Sequence, residues 1–259
     1  MSTAATAEAK ISAKHVSKVY QSKKTQFQAL DSVSFDVFPH EFVSFVGTSG
    51  CGKSTLLRIL AGLEDASDGS IQISGSEING PGADRGMVFQ SYTLFPWLNV
   101  RQNIEFGLTL QNVPLLEKRQ ISEHFMDMVS LQRFAKAFPK ELSGGMKQRV
   151  AIARALANKP EVLLMDEPFG ALDPMTKGTM QEMLLDIWKK EKMTVVFITH
   201  DIEEAIFLSQ RVYVMEAHPG RIKQEVIVPA SLKEDGNGKD SEEFIRLKKH
   251  IVSLIGKHG

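Results

Sequence analysis

The string Gly47-Thr48-Ser49-Gly50-Cys51-Gly52-Lys53-Ser54 constrains the fold of this chain more than any other, because of what flanks it. Glu41 to Val46 before it is an apolar strand pattern, and Lys53 to Ala61 after it is an apolar helix that Gly62 is placed to end. A strand running through a glycine-rich turn into a helix is a phosphate cradle. The glycines let the backbone curl until its amides converge, and the helix N-terminus adds a partial positive charge. In that geometry the residues from Gly47 to Gly52, with Thr55 in the first helical turn, wrap phosphate oxygens. Lys53 reaches the β and γ phosphates, and the Ser54 hydroxyl binds Mg2+. Cys51 has two readings here: structural filler, which is favoured, or a thiol beside a helix N-terminus that reagents attack and ATP protects.

A second element fits the first. Val162-Leu163-Leu164-Met165-Asp166-Glu167 is a buried-strand pattern that ends in two acids, and a strand tip in an open α/β sheet is where ligands bind. Adjacent carboxylates divide the work: Asp166 holds Mg2+, and Glu167 orients or deprotonates the water that attacks the γ phosphate. Without the phosphate loop the pair would read as a solvated strand end.

The rest of the chain supports one large α/β domain with an inserted lobe. Residues 1–10 read as a tail. Short β-rich runs follow, including Ser32 to Val37 with alternating Val33, Phe35 and Val37, then Ile71 to Ser74 and Gly86 to Phe89. From about Gln90 to Lys159 the periodicity is mostly helical. Asp173-Pro174 is an N-cap and first-turn pair for a helix to about Lys190, and Thr194 to Thr199 is a central parallel strand. Asp201 and Glu204 form a candidate capping pair. The main domain spans about 11–230, and 231–259 reads as a linker followed by an amphipathic helix carrying Phe244, Leu247, Ile251, Leu254 and Ile255.

Composition bounds the partners. Lys plus Arg equals Asp plus Glu at 31 each, so the overall electrostatic footprint of a nucleic-acid binder is missing. Apolar runs fall far below the roughly 20 residues a spanning helix needs, so a membrane role is peripheral. A single cysteine and no signal-like N-terminus favour the cytoplasm.

Leu142-Ser143-Gly144-Gly145-Met146-Lys147-Gln148-Arg149 precedes a helical run, which makes a second N-terminus suited to anions. One nucleotide does not need two. The string resembles the signature of ABC transporter ATPases, whose partner subunit offers it to the γ phosphate held on the first subunit's loop. Tyr20, Gln90, Ala171-Leu172-Asp173 and His200 follow in the order that family shows, although each alone has a plainer structural reading. The resemblance implies a P-loop NTPase (RecA-like) core with an antiparallel β subdomain and an inserted helical subdomain, and a head-to-tail dimer sandwiching ATP. It implies that Tyr20 stacks on adenine, that Gln90 senses Mg2+ and water while lining a groove for a transmembrane partner, and that Asp173 crosses the dimer interface. His200 would contact the γ phosphate, and Ser143, Gly144 and Gly145 would hold the partner's nucleotide. Met146 stands where many members carry Gln, the side chain to which the resemblance assigns a ribose contact.

Pro81-Gly82-Ala83-Asp84-Arg85-Gly86, Phe95-Pro96-Trp97-Leu98-Asn99-Val100 and His218-Pro219-Gly220-Arg221-Ile222 resemble the importer branch serving nitrate, sulfonate and taurine. That branch implies transmembrane permease subunits, an extracytoplasmic solute-binding protein, and a place at the cytoplasmic face of the inner membrane. An exporter or lipid-transport ATPase and a non-transport ABC ATPase are the alternatives. The latter is disfavoured because neither a second cassette nor a coiled-coil insertion is present.

Overall fold

A computed structural model describes residues 8–22, 25–234 and 238–256. The N-terminal tail up to residue 7 lies outside them. In chain order the strands and helices are β1 (Ile11–Gln21), β2 (Gln26–Val37), β3 (Phe42–Gly47), α1 (Lys53–Leu60), β4 (Asp68–Ile73), β5 (Ser76–Glu77), β6 (Arg85–Val88), α2 (Val100–Leu110), α3 (Leu115–Met128), α4 (Gly144–Ala157), β7 (Val162–Asp166) and α5 (Pro174–Glu191). They continue with β8 (Thr194–Ile198), α6 (Ile202–Leu208), β9 (Arg211–Glu216), β10 (Arg221–Ile227), α7 (Ser231–Glu234) and α8 (Glu242–Ile255). The chain divides into two compact units, one made of Met1–Pro81 with Met193–Gly259, the other of Gly82–Lys192.

In the first unit, β3 is buried at every position because it runs parallel to a neighbour on each side. Phe42 pairs with Val195 of β8, and Gly47 pairs with Met215 of β9. A strand covered this way has no polar face, hence the unbroken apolar run Phe42–Val46 around the lone Ser44, whose hydroxyl meets that of Ser209. β10 closes the edge antiparallel to β9. A separate antiparallel sheet in the order β2-β1-β4-β5 uses strict alternation, with Val33, Phe35 and Val37 turned inward. The stripe on α8 packs Phe244 and Ile251 against Val46, Ala205, Val212, Val214 and Val226.

The second unit pairs β6 parallel to β7, with Arg85 beside Val162 and Val88 beside Met165. Helix α2 packs on α3 and α4 through Ile104, Leu108, Phe125, Met126 and Val150, all buried. The unit is less uniformly helical than the periodicity predicts: residues 91–99 form no helix, and α2 starts only at Val100. Asn99 causes the late start, since its side chain accepts from the Gln102 amide while Gln102 returns the bond to the Asn99 amide, a capping box.

Candidate functional site

The helix that follows the phosphate loop begins differently from most others. Asn99, Ser143, Asp173, Asp201 and Ser241 each accept a backbone amide with the side chain and so cap their own helices. The N-cap of α1 is Gly52, which has no side chain to offer, and the first turn carries no acid. The leading amides of a helix need acceptors from somewhere. An anion is what this terminus is built to take.

The loop's glycines are fixed by geometry. Gly52 has φ +88°, and a Cβ there would stand 2.6 Å from Leu30 Cδ2 and 2.7 Å from the Ala29 carbonyl oxygen. Gly50 has φ +80° and faces open space, while a Cβ on Gly47 would meet the Met215 carbonyl oxygen at 2.6 Å and Cys51 Sγ at 2.7 Å. The loop therefore rests on β2 and β9 and is open above, where Thr48, Ser49 and Gly50 are exposed. Gly220 of the 218–222 segment also lies beneath it, against the Cys51 carbonyl, a support that sequence reasoning missed because it depends on a contact across more than 160 residues.

Lys53 is 6% exposed, and its ammonium donates to the Gly47 carbonyl at 2.9 Å and the Thr48 carbonyl at 3.0 Å. A buried ammonium with three donors, held by two carbonyls of an anion-seeking loop, is a positioned countercharge. Cys51 is fully buried with its sulfur 3.5 Å from Lys53 Nζ. The reading of an open thiol is corrected by this: the side chain points down into the loop's floor, and the filler reading stands. Ser54 and Thr55 are half-buried in the first turn of α1.

Tyr20 reaches the same helix. Its hydroxyl donates to Glu64 at 2.5 Å and interacts with Thr55, and burial, then the Glu64 bond, push it above the usual phenol range. Its ring is partly exposed, with Lys18 Nζ 5.2 Å from the centroid. His200 is exposed directly after β8. Asp201 caps α6 by accepting from the amides of Glu203 and Glu204. The expected capping role of Glu204 gives way to another: its carboxylate is buried and takes the Thr199 hydroxyl, which in turn accepts from the Asp201 amide. A buried carboxylate needs a donor, and that hydroxyl is within reach.

In the second unit, β7 buries Val162 to Met165 and releases Asp166 and Glu167 half-buried at its tip. Glu167 has φ +43°, and its carbonyl accepts from Gly170 N at 3.1 Å. Left-handed backbone at a non-glycine residue is a strained state that the surroundings must hold. The turn directs the carboxylate toward Gln90, whose Nε2 lies 3.5 Å from Glu167 Oε2, at the outer limit of a hydrogen bond. Gly170 stands beside both.

The signature segment heads α4. Ser143 is exposed, and its Oγ accepts from Met146 N at 3.3 Å, which leaves its own proton to donate elsewhere. A Cβ on Gly144 would stand 2.9 Å from the Tyr92 hydroxyl, and one on Gly145 would stand 2.7 Å from Thr176 Cγ2, so both glycines are packing requirements. Asp173 caps α5 by accepting from Thr176 N at 3.0 Å, and bonds from Thr176 hold its carboxyl below the usual range.

The sequence model described as ABC transporter matches residues 30–170, more than half of the chain. This chain belongs to the ABC transporter family. Among its relatives, the nitrate import ATP-binding protein NrtD of Synechocystis is 49% identical over 246 residues, covering 93% of this chain and 92% of that protein. The aliphatic sulfonates import ATP-binding protein SsuB of Bacillus cereus is 44% identical over 242 residues, covering 93% and 94%. The dimeric structure of the bacterial ABC transporter cassette MJ0796 aligns with a TM-score of 0.76 at 34% identity, covering 85% of this chain and 99% of that one. A post-hydrolysis state of the same cassette, bound to ADP and Pi, aligns at 0.74. This chain is accordingly a P-loop NTPase and an ABC transporter ATP-binding subunit, an ATP hydrolase.

Proposed function

We propose that this ABC ATPase powers uptake of a small solute of the nitrate, sulfonate or taurine kind. The observation that carries this reading is its likeness to two import ATPases along more than 90% of both chains. Two copies would work head to tail, docked on transmembrane permease subunits at the cytoplasmic face of the membrane and served by an extracytoplasmic solute-binding protein. Among the described residues no helix is long and apolar enough to cross a membrane, in keeping with a peripheral subunit.

The donor chemistry fits Mg-ATP. The Ser54 hydroxyl and the Asp166 carboxylate are hard oxygen donors of the kind Mg2+ takes, the latter through water. When bound, the cation neutralises charge on the β and γ phosphate oxygens. Amides from Thr48 to Thr55 and the Lys53 ammonium bind the phosphates, and the Tyr20 ring carries the adenine. Glu167 orients the attacking water and takes its proton as the oxygen bonds to the γ phosphorus and the bond to the ADP oxygen breaks. Gln90 positions that water and the metal through its amide, and His200 donates to the γ phosphate. From the partner copy, the Ser143 hydroxyl with the Gly144 and Gly145 amides would complete the phosphate's surroundings, and Asp173 would sit at the dimer interface.

Glu167→Gln tests the chemistry. Nucleotide affinity should stay within about threefold of wild type while turnover falls at least about a hundredfold, and the protein should elute as a nucleotide-loaded dimer. Turnover at the wild-type rate removes Glu167 from its role. The uptake reading is tested by purifying the subunit gently from its own membranes and identifying its companions by mass spectrometry. A multi-span permease with a secreted binding protein supports it, and ribosomal or DNA-associated companions sink it.

A further inference from the structure

The guanidinium of Arg154, in the last turn of α4, donates to the Thr93 carbonyl at 2.8 Å, to Thr93 Oγ1 at 2.9 Å and to the Tyr92 carbonyl at 3.4 Å. It also lies 5.5 Å from the centroid of the Phe95 ring. A planar fork that bonds two consecutive residues while stacking on a third ring is an arrangement that arginine alone supplies. Burial pushes the guanidinium below its usual pKa, while Thr93 on the loop side stays exposed. Thr93 has φ +45°, a genuine outlier for a β-branched residue, and its strained carbonyl is one of the acceptors that Arg154 holds.

The same segment touches the other end of the helix. The Tyr92 hydroxyl abuts Gly144, next to Ser143. Residues 92–95 therefore brace α4 at its head and at its last turn, positions about 15 Å apart at 1.5 Å per residue. The far half of the segment is fixed by Asn103 of α2. Its carbonyl accepts from Phe95 N, and its amide donates to the carbonyls of Phe95, Leu98 and Asn99. What this braced segment presents to solvent is Trp97, 69% exposed and 5.6 Å from the Phe95 ring, with Phe95 backed in turn by Phe106 at 4.3 Å.

We infer that Arg154 is a positioning residue that makes the Trp97 segment and the signature helix one mechanical piece, so that a push on Trp97 displaces Ser143. This rests on the proposed docking of the subunit on its permease, with the groove that Gln90 lines continuing through the Trp97 segment. The guanidinium touches no nucleotide; it acts by transmitting displacement.

The test uses the purified complex with its permease, measuring ATPase activity with and without solute-loaded binding protein, in wild type, Arg154→Lys and Arg154→Gln. Lysine keeps the charge without the planar fork, and glutamine keeps an amide donor without the charge. In both, KM for ATP and the basal rate of the isolated subunit should stay within about twofold of wild type while stimulation by solute falls about fivefold or more. Full stimulation in both variants overturns the inference. So does a basal rate that falls in step with the stimulated one, which marks a merely structural residue. If wild-type subunit binds no permease, it is the uptake reading that fails. Amide hydrogen exchange on the isolated subunit then decides the linkage: faster exchange at residues 92–98 together with the first turn of α4 in Arg154→Lys supports it, and unchanged exchange overturns it.

Discussion

Helices α1 and α4 both begin on glycine-rich strings, yet their N-termini are finished in opposite ways. At α1 the cap is Gly52, the first turn carries no acid, and a buried ammonium lies under the loop. At α4 the cap is Ser143, whose oxygen already serves Met146 N. The first terminus offers its leading amides to an acceptor from outside the helix, whereas the second is capped by its own side chain. In the proposed sandwich of two copies, α1 would be the strong holder of each phosphate and Ser143 at the head of α4 the weaker closer.

The comparison breaks most severely at Lys53. Replacing it with Ala leaves the Gly47 and Thr48 carbonyls facing an emptied space and removes the countercharge from the phosphates. Turnover should fall about a thousandfold or more, and ATP affinity measured by calorimetry should drop at least tenfold. If affinity is retained, the bare amides of α1 suffice without the ammonium, and the holder is simpler than described.

Gly52→Ala separates the backbone from the charge. The φ of +88° and the approach of Leu30 and the Ala29 carbonyl leave no place for a methyl group, so unfolding stability should fall by about 2–3 kcal/mol, read by urea denaturation. At Gly50, which has a similar φ but open space, the same substitution should cost less, about 1 kcal/mol. Equal losses would mean that conformation, not packing against β2, sets the requirement.

At the weaker terminus, Ser143→Ala should cost about 1 kcal/mol as a lost cap and about tenfold in turnover as a lost donor, equivalent to about 1.4 kcal/mol in the transition state. Two effects of comparable size distinguish a residue that caps and closes from one that only caps. Lost stability with intact turnover would reduce Ser143 to the plain helix start that its sequence context also allows.

The difference between these termini was partly legible in the sequence. The strand, glycine turn and helix around Lys53 are local, so spacing and turn chemistry reveal them, as they reveal Gly62, which takes φ +69° just past α1. Asp173 before Pro174 was readable for the same reason. Whatever depends on distant partners was not. Gly52 is forced by Leu30 and Ala29, the floor under Cys51 is Gly220, and the buried thiol of Cys51 is a consequence of that floor. The strain at Glu167, which turns its carboxylate toward Gln90, leaves no mark in composition, because glutamate is not a residue chosen for positive φ. Residues 91–99 misled the periodicity because the Phe95 ring faces Arg154 and the backbone of residues 95–99 bonds the Asn103 side chain instead of closing helical turns.

The smallest expected effect concerns a third terminus, α5, which lies between the two extremes because its cap is a charged carboxylate on a fully accessible residue. Bonds from Thr176 hold the Asp173 carboxyl below the usual carboxylate range, so the folded state favours its ionised form more than the unfolded chain does. A depressed carboxyl contributes stability that is fully present above the unfolded value and is lost as pH falls through the folded one. Wild type should therefore lose a small increment below about pH 4 that Asp173→Asn, an equally good uncharged cap, does not lose. At neutral pH the two should unfold at nearly the same urea concentration, and on acidification wild type should fall below Asp173→Asn by that increment. Parallel acid limbs would show that Asp173 holds α5 by hydrogen bonding alone. Its charge would then be available in full to whatever faces that exposed end, as a residue proposed for the dimer interface requires.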